Sequence, residues 1–270
     1  MSNVNPNSQH LYQGYLNTPL LWNSSSVFGL HQLQINNKNT FPLKRLIHKR
    51  LRLGQLVEQF VFNQLEQTEN CNILAENIQI QKNKQTLGEL DALIQVDEQS
   101  IHLEVVYKFY LYDESLGDFE LKRWIGPNRK DSLIEKLTKL KNKQLPLLYS
   151  PECKSALEQL HLNTINFQQQ VLFKAQLFVP YKKTVVFEQL NEDCVCGFYL
   201  KTNQLDEFSN CSFYIPSKLD WLLEANHYVN WLTIKEFKLQ ADTFLKQKRS
   251  PLVWIKKSDN NLLKCVLVWW

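Results

Sequence analysis

The feature that most constrains this chain is a predicted β-hairpin over residues 87–112, which reads LGELDALIQVDEQSIHLEVVYKFYLY. Two stretches with strand-like patterning are joined by a polar turn at residues 97–100. Because successive side chains of a strand point to opposite faces, Asp91 of the first strand and Glu104 and Lys108 of the second would share one side of a sheet. Two acids and a lysine on one sheet face are the strongest chemical indication in the sequence.

Composition places the chain among ordinary globular proteins. It has 270 residues, 44% hydrophobic and 21% charged, and its net charge of +4 is too mild to indicate a nucleic-acid binder by itself. No apolar run approaches the roughly 20 residues that span a bilayer. The N-terminus also has no basic-then-apolar signal pattern. We therefore expect a cytoplasmic protein with no membrane partner.

Several site classes are disfavoured by what the sequence contains. The six cysteines are scattered without paired zinc-ligand spacing, so buried, reduced thiols are expected. There are 7 glycines, and neither a GxGxxG nor a Walker pattern occurs, which argues against a glycine-rich phosphate loop.

The elements around the hairpin follow from hydrophobic periodicity. Helical patterning runs from Pro42 to about Gln67, where Glu58 interrupts an apolar stripe and either serves a site or sits at the stripe's edge and reaches water. A second helix, with Gln144 on its apolar stripe, is predicted from about Asp131 to Leu145 and ended by Pro146. Further strands are predicted at 72–81, 171–180, 184–190, 197–201, 252–256 and 262–270, and further helices at 218–226 and 234–248.

A basic loop lies between the hairpin and the second helix. Arg123, Arg129 and Lys130 could grip phosphates there, and Trp124 could stack on a base. The alternative is an ordinary solvated surface.

Several motifs in combination resemble a known family. The segments GELD, LEVVYKFYL, GPNRKDSLIEKL and QLP are similar to those of an uncharacterised bacterial family, domain-of-unknown-function family 1853, which sequence profiles place near the PD-(D/E)XK nucleases. The resemblance implies an α/β fold with a restriction-endonuclease-like core, ordered helix-strand-strand-strand-helix-strand, over residues 43–180. An N-terminal helical or irregular segment (1–42) would precede the core, and an α+β extension (181–270) would follow it.

The resemblance also implies a function and a set of residue roles. The function is hydrolysis of phosphodiester bonds, of DNA more than of RNA, by water that Mg²⁺ or Mn²⁺ activates. Asp91 and Glu104 would hold the metal, and Lys108 would stabilise charge and orient the water. Glu58 would match the helix glutamate of many members, and Gln144 with Tyr149 would match the glutamine-tyrosine element of RecB-like nucleases.

One spacing departs from the superfamily pattern. Its acid and lysine usually stand two residues apart, whereas Glu104 and Lys108 stand four apart, so their Cα atoms would be about 13 Å rather than about 7 Å apart along the strand. Val106 occupies the intermediate position. Two alternatives therefore stay open: a degenerate nuclease fold that binds nucleic acid or protein, and a structural protein whose acids and lysine form a solvated surface ion pair. His102 lies on the same predicted face but receives no role.

Overall fold

A computed structural model describes residues 6–35, 42–47, 51–162 and 165–270. The α-helices in this part of the chain are α1 (Pro6–Asn17), α2 (Leu53–Leu65), α3 (Leu133–Lys139), α4 (Pro151–Gln159) and α5 (Ile234–Lys246). The β-strands there are β1 (Cys71–Lys82), β2 (Gln85–Val96), β3 (Gln99–Tyr112), β4 (Trp124–Ile125), β5 (Gln168–Pro180), β6 (Val195–Lys201), β7 (Ser212–Tyr214), β8 (Leu252–Lys256) and β9 (Leu262–Val268). The predicted mixed α/β class is confirmed. None of the described helices is long and apolar enough to cross a membrane.

The chain forms two compact units that alternate along the sequence. The first unit takes residues 1–12, 20–107 and 135–174, and the second takes residues 13–19, 108–134 and 175–270. Strands β3 and β5 each pass from the first unit into the second. The domain limits predicted at residues 42 and 180 refer to contiguous segments and stay a prediction.

The predicted hairpin is confirmed, and most of it lies in the first unit. β2 and β3 pair antiparallel from Val96↔Gln99 to Ala92↔Leu103, and Asp97 occupies the turn with φ at 51°. The preceding strand β1 pairs antiparallel with the other edge of β2. Both faces of the hairpin are covered: Leu93 is fully buried like its neighbours, and so are both His102 and Glu104. The face predicted to be polar is therefore not a solvated surface.

Helix α2 is shorter than the sequence pattern suggested. The predicted helix over Pro42–Gln67 begins at Leu53, and residues 48–50 lie outside the described residues. Residues 42–47 are not helical, and the backbone N–H groups of Lys44 and Arg45 donate instead to Oδ1 of Asn63, at 2.8 and 3.1 Å. A buried side chain thus replaces the intrahelical acceptors that this stretch would otherwise need.

The second predicted helix changes its winding twice. After α3, residues Leu140–Gln144 form a π-helical turn and Leu145–Tyr149 form a 3₁₀ turn. The helix does not end at Pro146, which stands in the first turn of the 3₁₀ segment, where its missing N–H costs no hydrogen bond.

The second unit is built on β6, β8 and β9. β6 pairs parallel with the end of β5 and with β9, and β8 pairs antiparallel with β9 and with β7. Its core packs α5 against these strands through Phe213, whose ring stacks on Phe237 with centroids 4.4 Å apart.

Two elements of the second unit differ from those predicted from the sequence. Residues 184–190 form a loop rather than a strand, and Oε2 of buried Glu120 accepts the backbone N–H groups of Glu188 and Gln189 at 3.2 and 2.7 Å. In a strand these two N–H groups would donate to a neighbouring strand, whereas here they donate to the carboxylate of Glu120. The helix predicted at 218–226 shortens to the 3₁₀ turn Leu219–Leu222.

Candidate functional site

Asp91 lies where β2 separates from β3 in the first unit. The strand register continues to Ala92↔Leu103, and Asp91 is the next residue of β2. Its Oδ2 accepts the backbone N–H of Val105 at 2.8 Å, so the side chain replaces a backbone acceptor at the fork. Its Oδ1 accepts no hydrogen bond from the described residues. One oxygen of Asp91 is thereby fixed, and the other is available to a ligand.

Glu104 is fully buried on β3, and both of its oxygens are held by side chains. Nε2 of Gln144 donates to Oε2 at 2.5 Å, and Nε2 of His102 lies 3.2 Å from Oε1. Gln144 in turn accepts a hydrogen bond on Oε1 from Nζ of Lys136, at 2.7 Å. A lysine on α3 is thus connected to Glu104 through one glutamine.

His102 extends these contacts on the other side of Glu104. Nε2 of Gln169 donates to the carbonyl of Leu145 at 2.5 Å and lies 3.4 Å from Nδ1 of His102. Burial lowers the pKa of His102 to about 4, so the ring is neutral at pH 7. In a neutral ring Nδ1 accepts from Gln169 while Nε2–H donates to Glu104.

These contacts form one continuous series, which we call the Glu104 chain and define as Gln169, His102, Glu104, Gln144 and Lys136. Both ends donate toward the carboxylate in the middle. Buried polar groups are costly unless they are paired, and here each link supplies the partner that the next one needs. The series therefore fixes the position of Glu104 within the core.

Three carboxyl groups of the first unit have strongly raised pKa values. Burial, and after it the charge of Glu104, raise the pKa of Asp91 to about 7, although the N–H of Val105 acts in the opposite direction. Burial likewise raises the pKa of Glu104 to about 7, with Lys136 and Gln144 acting against it. On α2, burial and then Asp91 raise the pKa of Glu58 to about 7.

We call Glu58, Glu89, Asp91 and Glu104 the acidic cluster, since these carboxylates act on one another electrostatically. Lys136 is the cation that lowers the pKa of three of them, Glu58, Asp91 and Glu104. One ammonium group thus faces several partly buried acids. An arrangement of this kind favours the binding of additional positive charge.

An open cavity of about 610 Å³ gives access to the acidic cluster. Glu58, Glu89 and Asp91 line it together with Gln144, and Lys139 and Lys143 of the α3 segment line it as well. The two lysines are exposed. The cavity therefore combines half-buried acids with exposed ammonium groups, while buried Glu104 lies outside its lining.

The donor atoms of this site suit a hard divalent cation. Among the described residues there is no group of three or more His, Cys, Asp or Glu side chains arranged to hold a metal ion. Mg²⁺, however, is commonly held by one or two carboxylates and keeps several waters. Asp91 and Glu104 are oxygen donors whose ionised forms are disfavoured by burial, and a cation would relieve that cost. Their chemistry thus fits Mg²⁺ or Mn²⁺.

Lys108 occupies a different environment from the one predicted. It belongs to the second unit, where its Nζ lies 2.7 Å from Oδ2 of Asp131. The lysine that the first unit brings to the carboxylates is Lys136. The fold brings together four of the predicted site residues: Glu58, Asp91, Glu104 and Gln144. Tyr149 does not join them, since it is 66% exposed and its hydroxyl lies 3.5 Å from the carbonyl of Phe167.

The basic loop needs a correction. Trp124 is fully buried and packs edge-on against Tyr112, with ring centroids 5.2 Å apart, so it cannot stack on a base in this fold. Arg123 donates to the carbonyls of two loop residues and to the hydroxyl of Tyr112. Arg129 pairs with Asp113 at 2.8 Å. Lys130 is the member of the set with an exposed side chain.

Sequence reasoning missed Lys136, Glu89, His102 and Gln169. Two of them carried a usable signal: Glu89 stands two residues from Asp91 and His102 two residues from Glu104, so each shares a strand face with its neighbour. Lys136 had no such signal in the sequence, because on a regular α-helix its side chain would not point to the same side as that of Gln144. Gln169 lies on a strand distant in sequence and could be found only from the fold.

Comparison with known proteins identifies a family. No curated protein and no solved structure matches the chain significantly. A family model described as a domain of unknown function, DUF1853, matches residues 8–264, which is nearly the whole chain. The predicted resemblance to that family is confirmed: the chain belongs to the DUF1853 family.

Proposed function

We propose that the protein is a Mg²⁺-dependent nuclease of the PD-(D/E)XK type that hydrolyses phosphodiester bonds, in DNA more than in RNA. One observation carries the proposal. A helix glutamate, Glu58, and two strand carboxylates, Asp91 and Glu104, form a partly buried acidic cluster with Gln144 and Lys136. A surface ion pair would need no such set of partners.

The order of elements supports the same assignment. Between Leu53 and Pro180 the chain runs α2, β1, β2, β3, α3 and β5, with β4 and α4 as additional elements. This is the helix-strand-strand-strand-helix-strand order of the superfamily core. The acids stand on α2, β2 and β3, where the resemblance expects them.

Each residue of the site has a role that its contacts suggest. Asp91 and Glu104 would hold the cation, which when bound polarises a phosphate oxygen and makes water a better nucleophile. Gln144 and His102 keep Glu104 in place. Lys136 supplies fixed positive charge beside the carboxylates, where negative charge develops on the phosphate.

The rim of the cavity supports a polyanionic substrate. Lys139 and Lys143 line the same cavity as Glu58 and Asp91. Exposed lysines attract the phosphate backbone of a nucleic acid, whereas an acidic cluster alone would repel it. The exposed lysines would thus bring the polyanion to the acids.

The catalytically degenerate alternative has its own support. Lys108 is engaged with Asp131, and the described residues show no group of three metal ligands. A chain of that kind would bind nucleic acid or a protein partner without cutting. Affinity for a divalent cation separates the two possibilities.

The proposed activity can be tested by cleavage of mixed single- and double-stranded DNA with Mg²⁺, Mn²⁺ or EDTA. We expect cutting that depends on the metal, is lost in Asp91→Asn, and falls by roughly a hundredfold in Lys136→Met, as for other lost electrostatic groups. Lys154→Met is the matched control, because Lys154 is an exposed lysine of the same unit outside the cavity. Lys108→Met tests the residue predicted from the spacing.

The outcomes are separable. Cutting that survives in Asp91→Asn would place the activity elsewhere. A stronger loss in Lys108→Met than in Lys136→Met would restore the lysine assignment made from the sequence. A wild-type protein that binds DNA yet shows neither cutting nor calorimetric binding of Mn²⁺ would establish the degenerate alternative.

A further inference from the structure

A second cavity, in the second unit, is lined by two cations and by no carboxylate. Its volume is about 670 Å³, and its lining includes Lys218, Arg249 and Ser250 together with the apolar groups of Tyr214 and Phe244. This charge pattern is the opposite of that in the acidic cluster. The side chains of Lys218, Arg249 and Ser250 indicate what the cavity could bind.

Lys218 has its ammonium group against aromatic rings rather than against an acid. Nζ lies 3.2 Å from the ring centroid of Trp221 and 4.4 Å from that of Phe109. The nearby carboxylate of Asp131 influences Lys218 electrostatically, but its Oδ2 is bonded to Lys108 at 2.7 Å. Desolvation lowers the pKa of Lys218 to about 7. Lys218 is nevertheless exposed as a residue, and it makes no ion pair with a carboxylate of the described residues.

Arg249 also makes no ion pair with a carboxylate of the described residues. Its guanidinium lies 5.4 Å from the ring centroid of Phe244, and its hydrogen bond to Oε1 of Gln247 is long, at 3.5 Å. The fork of N–H donors on an arginine matches the oxygens of a phosphate or carboxylate. In this cavity those donors face no such acceptor from the protein.

Ser250 gives a second indication of a ligand, independent of the two cations. It is only 3% exposed, and its buried hydroxyl has no hydrogen-bond partner among the described residues, although the residue lines the cavity. Its backbone N–H is satisfied by Oδ1 of Asn128 at 2.8 Å, so the residue is held in place while its hydroxyl is not used. Buried hydroxyl groups without partners are rare because they lose their water hydrogen bonds.

We propose that this cavity binds an organic phosphate monoester. Its phosphate oxygens would accept hydrogen bonds from the Lys218 ammonium, the Arg249 guanidinium and the Ser250 hydroxyl. Its organic part would lie against Tyr214 and Phe244. A phosphate monoester carries several acceptor oxygens and close to two negative charges at neutral pH, which suits two cations and a hydroxyl. The cavity volume falls in the range of small-molecule sites.

The phosphate could belong to a free nucleotide or to the 5′ end of a nucleic-acid strand. Both present the same group, so the site chemistry is shared. The proposal does not depend on the nuclease assignment, because its residues are all in the second unit and none belongs to the acidic cluster.

Calorimetry with the full chain in EDTA tests the site without metal. The ligands are inorganic phosphate, adenosine 5′-monophosphate, adenosine, and one oligonucleotide with and without a 5′ phosphate. We expect the monophosphate to bind more tightly than inorganic phosphate and adenosine not to bind. Arg249→Gln and Lys218→Gln should each weaken binding by about tenfold or more, as expected for a lost charged hydrogen bond, and Ser250→Ala by a smaller factor.

Lys235→Gln is the charge-matched control, since Lys235 is exposed on α5 outside the cavity. Arg249 is itself exposed, so its variant should fold, which circular dichroism will verify. Binding of only the 5′-phosphorylated oligonucleotide, lost in Arg249→Gln, would assign the site to a strand end. Equal affinity for adenosine and its monophosphate, no binding of any phosphate, or identical behaviour of Arg249→Gln and Lys235→Gln would overturn the proposal.

Discussion

At the scale of single residues, the acidic cluster costs the folded protein stability. Asp91, Glu104 and Glu58 each have a pKa raised to about 7, first by burial and then by neighbouring carboxylates of the cluster. Ionising them inside the first unit is therefore less favourable than ionising them in the unfolded chain. Sites that hold such groups commonly exchange stability for function.

Because of these raised pKa values, the free energy of unfolding should depend on pH. The folded-state pKa values of about 7 lie above the unfolded values of about 4, so the folded protein retains protons that the unfolded chain releases. The contribution of the three acids to the free energy of unfolding should therefore fall as pH rises from about 4 to about 7. His102, with its pKa lowered to about 4, acts in the opposite sense, one group against three.

The variant Asp91→Asn isolates one of these contributions, and its side-chain oxygen can still accept the N–H of Val105. We expect it to be more stable than the wild type at pH 8 by about 1–3 kcal/mol, and the difference to be clearly smaller at pH 5, since it vanishes only near the unfolded pKa of about 4. Urea unfolding at the two pH values measures this. Asp193→Asn, which alters an exposed acid outside the cluster, should follow the wild type. A difference independent of pH would contradict the prediction.

Part of this site could be predicted from residues alone. The two-residue period of a strand places Asp91 and Glu104 on one face, and it does so whatever the rest of the chain adopts. The same period suggested Lys108, because it too points to that face. Which lysine meets the acids depends on where a helix packs, and strand periodicity contains no information about that.

At the scale of elements, the π-helical turn at Leu140–Gln144 explains how Lys136 reaches Gln144. On an α-helix, residues eight apart are rotated by about 80° from one another. A π turn accommodates one extra residue, so residues eight apart across it have about the same angular relation as residues seven apart on an α-helix. Residues seven apart lie on nearly the same side of a helix. Single π turns inside α-helices are frequent at functional sites.

Changing the number of residues in the turn tests this account. Deleting the exposed Asn142 should restore α-helical winding with Lys136 and Gln144 still on one face, so thermal stability and the site's function should be retained. Inserting an alanine after Asn142 should instead rotate Gln144 by about 100° and disconnect it from Glu104. Melting temperature and Mn²⁺ affinity of both variants are the measurements. Equal tolerance of deletion and insertion would contradict the alignment.

This explains the error in the predicted second helix. Its apolar stripe of Leu133, Leu137, Leu140 and Gln144 follows α-helical spacing, which predicts the existence of the helix correctly. A single π turn over five residues is shorter than the window in which hydrophobic periodicity is read, so the pattern does not reveal the added residue. The start of α2 at Leu53 was also hidden, because it depends on a side-chain contact to Asn63.

At the scale of the whole molecule, neither compact unit is a continuous segment. The second unit joins residues 13–19 and 108–134 to residues 175–270, and β5 begins in the first unit and ends in the second. The resemblance implied a boundary at residue 180, where a predicted strand ends, but local sequence does not show which strands pair. β6 takes its parallel partner from the end of β5.

Expression of two fragments tests whether residue 180 separates independent domains. We expect neither 1–180 nor 181–270 to show a cooperative thermal transition, because the first would lack β6 beside β5 and the second would lack residues 108–134 of its own unit. Circular dichroism of each fragment, compared with the full chain, is the measurement. A sharp transition in either fragment alone would show that the contiguous division is correct.

The directions of the hydrogen bonds around Glu104 have a consequence for amide substitution. The side chains that meet its carboxylate, Gln144 and His102, both act as donors there, and Gln169 fixes the histidine tautomer from behind. In Glu104→Gln an N–H₂ group would necessarily face one of these donors. Two rearrangements could relieve the conflict. Either the imidazole proton moves to the other nitrogen and Gln169 turns away from the carbonyl of Leu145, or Gln144 flips and points its amide N–H₂ at the ammonium of Lys136. The usual isosteric replacement is therefore a change of polarity that propagates through two side chains by either route, whereas the same replacement at Asp91 affects one.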